Sequence, residues 1–127
     1  MDLDKVYAVD ENAAAEGKWL VTREGFDVKV AKLGNPNYVA EVMRLQKPFL
    51  SLLRSSADSS ALLDEITIKA MAKTILLDWK AESEGQGVPY TVELGIQYLT
   101  KYKDFKEDIS VLSAGRANFK PEEVGEK

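Results

Sequence analysis

The chain has 127 residues, of which 45 % are hydrophobic and 30 % are charged, as expected for one ordinary globular domain. It has no cysteine and no histidine, which excludes disulfides, thiol nucleophiles, imidazole bases and zinc sites built from either residue. The net charge of −4 is uneven, since residues 1–16 carry −4, residues 17–54 carry +4 and residues 55–127 carry −4. The absence of a dense basic stripe argues against nucleic-acid binding. The longest apolar stretch is interrupted by charges and predicts no membrane span, and the N-terminus lacks the pattern of a secretory signal. A cytosolic location is therefore expected.

The N-terminal part is predicted to contain an arm and a β-hairpin. Residues 1–16 lack a sustained apolar face and are predicted to form a mobile arm. Residues 18–31 alternate in polarity around Glu24-Gly25, which we interpret as a two-residue turn because glycine supplies the positive φ that such turns need. This register places on one face the side chains of Trp19, Val21, Arg23, Phe26, Val28 and Val30. That face is expected to pack on the domain's own helices, with docking on another molecule as the alternative.

The next segment begins with a strong helix signal. Asn35 suits the N-cap and Pro36 the first helical position. Pro48 is predicted to kink or split this helix, because its ring clashes with the preceding turn. Ser55 to Ser60 form a polar, loop-like cluster.

Residues 60–80 are predicted to form the central helix. At 100° per residue, two apolar arcs lie on opposite sides of it, and one of them contains Trp79, Ile75, Met71 and Ile68. A helix with two apolar faces must be covered twice. It is either sandwiched between its own neighbours or gives one face to a second subunit.

The C-terminal part is predicted to contain two further helices. Residues 82–89 are interpreted as a loop, Thr91 as the N-cap of a helix to about Tyr102, and Asp104 with Glu107 as a capping box. The charged residues 120–127 are predicted to be disordered. The fold class is therefore mainly α with an N-terminal β-hairpin (α+β), in which about four helices surround the central helix 60–80. Residues 17–119 form a single domain.

No pattern of catalytic or ligand-binding residues emerges. The adjacent Asp64 and Glu65 point about 100° apart on a helix. Asp10-Glu11-Asn12 lacks the glycine and the terminal glutamate of a calcium loop, and Gly85-Gln86-Gly87 lacks the pattern of a dinucleotide loop. We expect no enzyme activity, no metal and no cofactor.

Two stretches together resemble a known family. The first is Gly17-Lys18-Trp19, followed by the hairpin and by the run from Val30 to Tyr38, which contains Gly34-Asn35-Pro36-Asn37-Tyr38. The second is Leu77-Asp78-Trp79-Lys80, then an acidic, glycine-rich loop, then Val88-Pro89-Tyr90-Thr91-Val92-Glu93. The order of hairpin, Asn-x-x-Tyr helix start, Asp-Trp helix end and Pro-x-Thr-x-Glu restart resembles the tail assembly chaperones of lambda-like siphophages, such as that of phage HK97. The resemblance covers roughly residues 17–119.

This resemblance implies a non-enzymatic helper in the cytoplasm of the infected host. Such proteins bind the tape measure protein, help to recruit tail tube protein and are absent from the finished virion. Many also have a longer form, made by ribosomal frameshifting, which contacts the tail tube protein. The alternative is a small phage or bacterial interaction protein, an inhibitor or adaptor, that binds one globular target.

The sequence also suggests where contacts with other proteins lie. Because a basic middle can meet an acidic end of another copy, self-association in rings or helical arrays is expected, with a monomer whose charged regions are solvated as the alternative. The candidate protein-binding residues are Trp79, Ile75, Met71 and Ile68 of the central helix, with Arg23 and Lys29 of the basic middle. Trp79 has two possible roles, in the core or at an interface.

Overall fold

A computed structural model describes residues 2–9, 11–55 and 59–119. The predicted tail, residues 120–127, lies outside the described residues. In chain order the elements are α1 (Leu3–Tyr7), α2 (Glu11–Glu16), β1 (Lys18–Val21), β2 (Asp27–Val30), α3 (Pro36–Gln46), a 3₁₀ turn (Lys47–Phe49), α4 (Leu50–Ser55), α5 (Ser60–Thr74), β3 (Leu76–Trp79), β4 (Ala81–Ser83), β5 (Gln86–Val88), α6 (Val92–Lys101), α7 (Lys103–Ala114) and a second 3₁₀ turn (Arg116–Phe119). The predicted class, α+β with an N-terminal hairpin followed by helices, is confirmed.

The N-terminal hairpin is present, but its predicted register is wrong by one residue. Leu20 pairs with Val28 and Val21 with Asp27. The loop has three residues rather than two, because the Thr22 amide donates to the Phe26 carbonyl at 3.0 Å and Gly25 has φ +82°. A turn followed by a glycine in the left-handed region is the usual three-residue hairpin loop. A slip of one residue exchanges the faces of a strand.

That slip changes which side of β1 is buried. Leu20 and Thr22 now share the inner face with Phe26, Val28 and Val30. Trp19 and Val21, predicted to be buried, lie on the outer face and are 45 % and 57 % exposed. On β2 the predicted face was correct, since Val28 and Val30 are fully buried.

The predicted central helix is too long at its C-terminal end. Helix α5 ends at Thr74, and residues 76–79 form strand β3, which pairs antiparallel with β2 and completes a three-stranded sheet of order β1-β2-β3. The Ala31 amide donates to the Ile75 carbonyl at 2.8 Å where the chain leaves the helix. The apolar residues after Thr74 keep the spacing of a helix, although the backbone there forms a strand. The prediction therefore extended the helix too far.

Pro48 divides the helical segment as predicted. Asn35 caps α3 by accepting hydrogen bonds from the amides of Asn37 and Tyr38, and α3 ends at Gln46. A single 3₁₀ turn containing Pro48 then leads into α4. Among the described residues of this turn and of α4, none is buried.

The predicted loop 82–89 is partly a second hairpin. Strands β4 and β5 pair around Glu84-Gly85, which have φ values of +53° and +79°. Both values are positive, as a two-residue type I′ turn requires. Thr91 caps α6 as predicted, through a hydrogen bond from the Leu94 amide. Asp104 is not an N-cap but lies in the first turn of α7.

The core lies between the sheet and helices α5, α6 and α7. It contains Val28, Val30, Met71, Ala72, Ile75, Leu76, Trp79, Leu99 and Ile109. Two short helices occupy the segment predicted to be an arm, and Ala14 of α2 is 3 % exposed, with its carbonyl accepting from the Lys32 amide. The surfaces left over on α3, α4 and the α5–α6–α7 side are the places where a partner could bind.

Candidate protein-interaction surfaces

Trp79, the first candidate residue, lies in an aromatic cluster. It is 4 % exposed, and its ring centroid lies 4.8 Å from that of Tyr90 and 5.4 Å from that of Tyr98. Phe26 and Phe105 complete the cluster. The indole Nε1 donates a hydrogen bond to the Val88 carbonyl at 2.8 Å, which satisfies its one polar atom. Of the two roles open at the sequence level, the structure supports the core.

Tyr90 fixes this cluster to the helices. Its hydroxyl donates to the Ala72 carbonyl of α5, and burial raises the pKa of the phenol, with smaller contributions from Asp78 and Glu93. Gly95 of α6 packs directly on the Tyr90 ring, where a Cβ atom would collide with it. The tyrosine is therefore a structural hydrogen-bond donor.

The other central-helix candidates divide by burial. Met71 is 2 % exposed and Ile75 is fully buried, so both belong to the core and are not accessible to a partner. Ile68 is half-buried and lines a groove on the surface. Of the four apolar candidates, Ile68 is therefore the accessible one.

The two basic candidates lie apart from that groove. Arg23, in the hairpin loop, donates from Nε to Asp108 at 2.6 Å and lies 3.7 Å from Glu107, which fastens the loop to α7. These carboxylates raise the pKa of Arg23. Lys29 lies on the outer face of β2, opposite Trp19 and Asp78. The structure therefore does not bring Arg23 and Lys29 together with Ile68.

The groove beside Ile68 is formed by α5, α6 and α7 and has a volume of about 510 Å³. Its apolar lining comes from Ile68, Ile96 and Leu99, and Thr100 and Ala61 are also exposed to it. The α5 side is acidic, with Asp64 and Glu65, and the α7 side is basic, with Lys103 and Lys106. An apolar strip between opposite charges is suited to an amphipathic helix that carries both signs of charge.

A second surface lies on α3 and α4. Five large apolar side chains between residues 39 and 52 are at least 40 % exposed, and we call them the apolar ridge: Val39, Met43, Phe49, Leu50 and Leu52. Val39 and Met43 are four residues apart and so lie on the same side of α3. Leu50 and Leu52 are two residues apart on α4 and point to different sides, so the apolar ridge is a series of exposed side chains along this segment rather than one patch.

The α3–α4 segment that carries the apolar ridge is also rich in basic residues. Glu41 of α3 is 8 % exposed and is bonded by Arg44 at 3.1 Å and by Lys73 of α5 at 3.5 Å. Arg44 is the main cause of the lowered pKa of Glu41, and Lys73 contributes. Within the described part of the chain, Lys47 and Arg54 have no carboxylate partner. These two cations are exposed and available to an acidic partner.

Neither a metal-ion cluster nor a membrane-spanning helix is found among the described residues. They contain no group of three or more acidic side chains arranged to hold a metal ion. Each helix that the structure describes is too short or too polar to cross a bilayer.

Sequence reasoning missed the apolar ridge although a signal was present. Val39, Val42 and Met43 recur at helical spacing along α3. In the structure Tyr38, Val42 and Leu45 face the body, whereas Val39 and Met43 do not. The apolar arc of α3, about 160° wide at 100° per residue, is wider than the stripe of about 100° that usually faces a core, so its outer part is exposed.

The chain was compared with known proteins. The model of the family described as the YdaY prophage protein matches residues 33–127. Neither the curated proteins nor the solved structures contain a significant match. The matched region includes both the groove and the apolar ridge, while α1 and the N-terminal hairpin precede it. The chain is therefore phage-derived and belongs to the YdaY prophage protein family.

Proposed function

We propose that this protein is a non-enzymatic tail assembly chaperone that binds the helical tape measure protein in the cytoplasm of the host. It helps to recruit tail tube protein, through a frameshifted longer form, and it is absent from the finished virion. The observation that carries the proposal is the α5–α6–α7 groove, whose apolar strip between an acidic and a basic side suits an amphipathic helix. The prophage family gives the biological setting in which such a helper is needed.

The sequence resemblance supports the same function through three of its four features. The N-terminal hairpin, the helix start at Asn35 and the helix start at Thr91 are all present. The fourth, an Asp-Trp helix end, is a strand end instead, because Asp78 and Trp79 belong to β3. The groove is lined by α5, α6 and α7, and its lining contains no residue of β3.

The groove also accounts for how a holding protein can act without chemistry. Its apolar residues cover the apolar stripe of a client helix, which keeps that stripe from water and from other copies of the client. Charges at the rim select orientation more than they add affinity. A client helix that carries acids along one side and bases along the other is oriented by Lys103 and Lys106 on one side and by Asp64 and Glu65 on the other.

Co-expression with the tape measure protein of the same prophage tests the proposal. We expect the tape measure protein to stay soluble and to co-purify with several copies of the chaperone. Thr100→Arg places a long side chain in the groove and should abolish co-purification. Gln97→Arg adds the same side chain at an exposed position of α6 outside the groove lining and should have no effect.

Two outcomes would contradict the proposal. Equal co-purification by both variants would remove the groove as the client site. A soluble complex with one globular protein in a one-to-one ratio, without any effect on the tape measure protein, would instead favour an inhibitor or adaptor. Circular dichroism of both variants checks that each is folded.

A further inference from the structure

Strand β1 is an open edge of the three-stranded sheet. The strand order is β1-β2-β3, so β1 has a neighbouring strand on one side only. Edge strands usually carry charges, prolines or bulges that keep another strand from pairing with them, and β1 has Lys18 alone of these. Trp19 and Val21 are exposed, and the Nζ atom of Lys80 lies 5.1 Å from the centre of the Trp19 ring. The indole therefore has a contact already, and what the strand leaves open is its backbone.

The hydrogen bonds of the hairpin show which backbone groups of β1 point outward. The Thr22 amide donates to the Phe26 carbonyl, so this pair is hydrogen-bonded across the hairpin. Such pairs alternate along an antiparallel ladder with pairs that are not hydrogen-bonded. Val21 and Trp19 occupy the latter positions. Their N–H and C=O groups are therefore directed away from β2.

The other side of β2 shows the same alternation. The Asp27 carbonyl, opposite Val21, accepts a hydrogen bond from the Lys80 amide at 3.1 Å, on the β3 side of the sheet. In the described part of the chain, no backbone partner is found for the outward N–H and C=O groups of Trp19 and Val21. Two donors and two acceptors thus have the spacing with which an extended chain pairs.

A cavity of about 300 Å³ lies beside this edge. Its apolar lining comes from Val21 at the end of β1 and from Val111 and Leu112 of α7. The charged residues around it and around the adjoining cavity at the hairpin loop are four acids and one cation: Glu24, Asp104, Glu107, Asp108 and Arg23. Lys18 lies at the other end of β1. The edge is therefore bordered by apolar surface, with negative charge at its loop end and positive charge at its beginning.

We propose that β1 binds an extended segment of another protein, which adds to the sheet as a fourth strand antiparallel to β1. Alternate residues of the segment are apolar, because every second side chain faces Val111 and Leu112. A basic residue precedes them near Glu107 and an acidic residue follows them near Lys18, which sets the direction of the segment. The lining of this site shares no residue with the α5–α6–α7 groove, so its occupation does not depend on the client helix.

A synthetic peptide that alternates valine and threonine, with lysine at its N-terminal end and glutamate at its C-terminal end, is the probe. The control peptide has the same sequence but carries N-methyl groups on the alternate amides that face β1, so it keeps the side chains and loses the hydrogen bonds. Amide hydrogen exchange of the full chain, followed by NMR, is the measurement. At saturation the probe should slow the exchange of Trp19 and Val21 by about tenfold or more, and the control peptide should not.

A pair of variants separates the backbone of β1 from its side chains. Val21→Pro removes one outward N–H and leaves the hydrogen bonds to β2 in place, as prolines on edge strands do. It should weaken binding of the probe by about tenfold. Val21→Thr keeps both the N–H and a β-branched side chain, and it should bind as the wild type does. If Val21→Pro does not fold, the two peptides on the wild type still decide the question.

Three results would contradict edge pairing. They are unchanged exchange of Trp19 and Val21 with the probe, equal protection by the N-methylated peptide, and equal affinity of a folded Val21→Pro and of Val21→Thr. Protection that rises with the concentration of the chain alone would show that a second copy occupies the edge, and would overturn the partner segment. The tape measure experiment on the groove variants has no bearing on these results.

Discussion

Val21 and Phe26 lie on opposite faces of the N-terminal hairpin, and this distinguishes the observed register from the predicted one. Phe26 is half-buried against Trp79 and Phe105, whereas Val21 is 57 % exposed. We expect Phe26→Ala to lower the free energy of unfolding by about 3 kcal/mol. Val21→Ala should change it by less than about 0.5 kcal/mol. Urea melts of both variants measure this, and similar losses would support the two-residue turn instead.

Glu41 makes stability depend on pH. Its hydrogen bond from Arg44, supported by Lys73, lowers the pKa of the carboxylate in the folded chain below its unfolded value. The stabilisation is therefore complete above the unfolded pKa and is lost as the pH falls through the folded pKa. At neutral pH we expect Glu41→Gln to cost about 1–2 kcal/mol.

The same variant should converge with the wild type in acid. Urea melts at neutral pH and below the folded pKa of Glu41 measure the difference. Glu82→Gln, at an exposed position of β4, is the control, and its difference in stability from the wild type should be the same at both pH values. A deficit of equal size at both pH values would mean that the glutamine disturbs packing rather than an ion pair.

At the scale of single elements, the hairpin loop depends on the backbone of Gly25. It has φ +82°, and no atom lies within 4 Å of the place that a Cβ would occupy. Gly25→Ala should therefore cost about 1 kcal/mol through backbone strain alone. Gly87→Ala in β5 meets equally open space without a positive φ, so it should be neutral or slightly stabilising. Thermal melts of both variants measure this. Equal decreases in melting temperature would contradict the left-handed conformation of Gly25.

The sequence predicted those elements whose signals are local. The structure has a helix N-cap at Asn35 before Pro36, a second N-cap at Thr91 and a helix break at Pro48. Each of these signals acts within one helical turn. The fold class followed from them. These signals hold because the hydrogen bonds or clashes involved lie within four residues.

Features set by distant contacts were missed. Ile75 and Trp79 continue the helical spacing of α5, yet residues 76–79 pair with β2 as a strand, with Val28 opposite Trp79. Likewise Ile68 was recognised as a candidate, whereas the groove that it lines needs Ile96 and Lys103 from other helices. Strand pairing and grooves depend on which elements contact each other in the folded chain. The apolar spacing within one segment does not carry that information.

At the scale of the whole molecule, the proposed function requires no ligand. Among the described residues there is no metal-binding cluster. We expect the melting temperature to be the same with a chelator, with zinc or magnesium ions, and with ATP, because a ligand that bound only the folded state would raise it. Scanning fluorimetry measures this. A reproducible rise with any one of them would show a binding site and count against a helper that acts by contact alone.

The sheet also determines when the chain can fold during its synthesis. The central strand, β2, has one neighbour close by in sequence and the other, β3, beyond α3, a 3₁₀ turn, α4 and α5. An isolated two-stranded hairpin is marginal in water, and the partners of Phe26 in the core include Trp79 and Phe105. The hairpin should therefore remain unstructured on the ribosome until residues up to about 105 have emerged. A stalled or truncated product would leave β2 exposed, and we expect host proteases to degrade it.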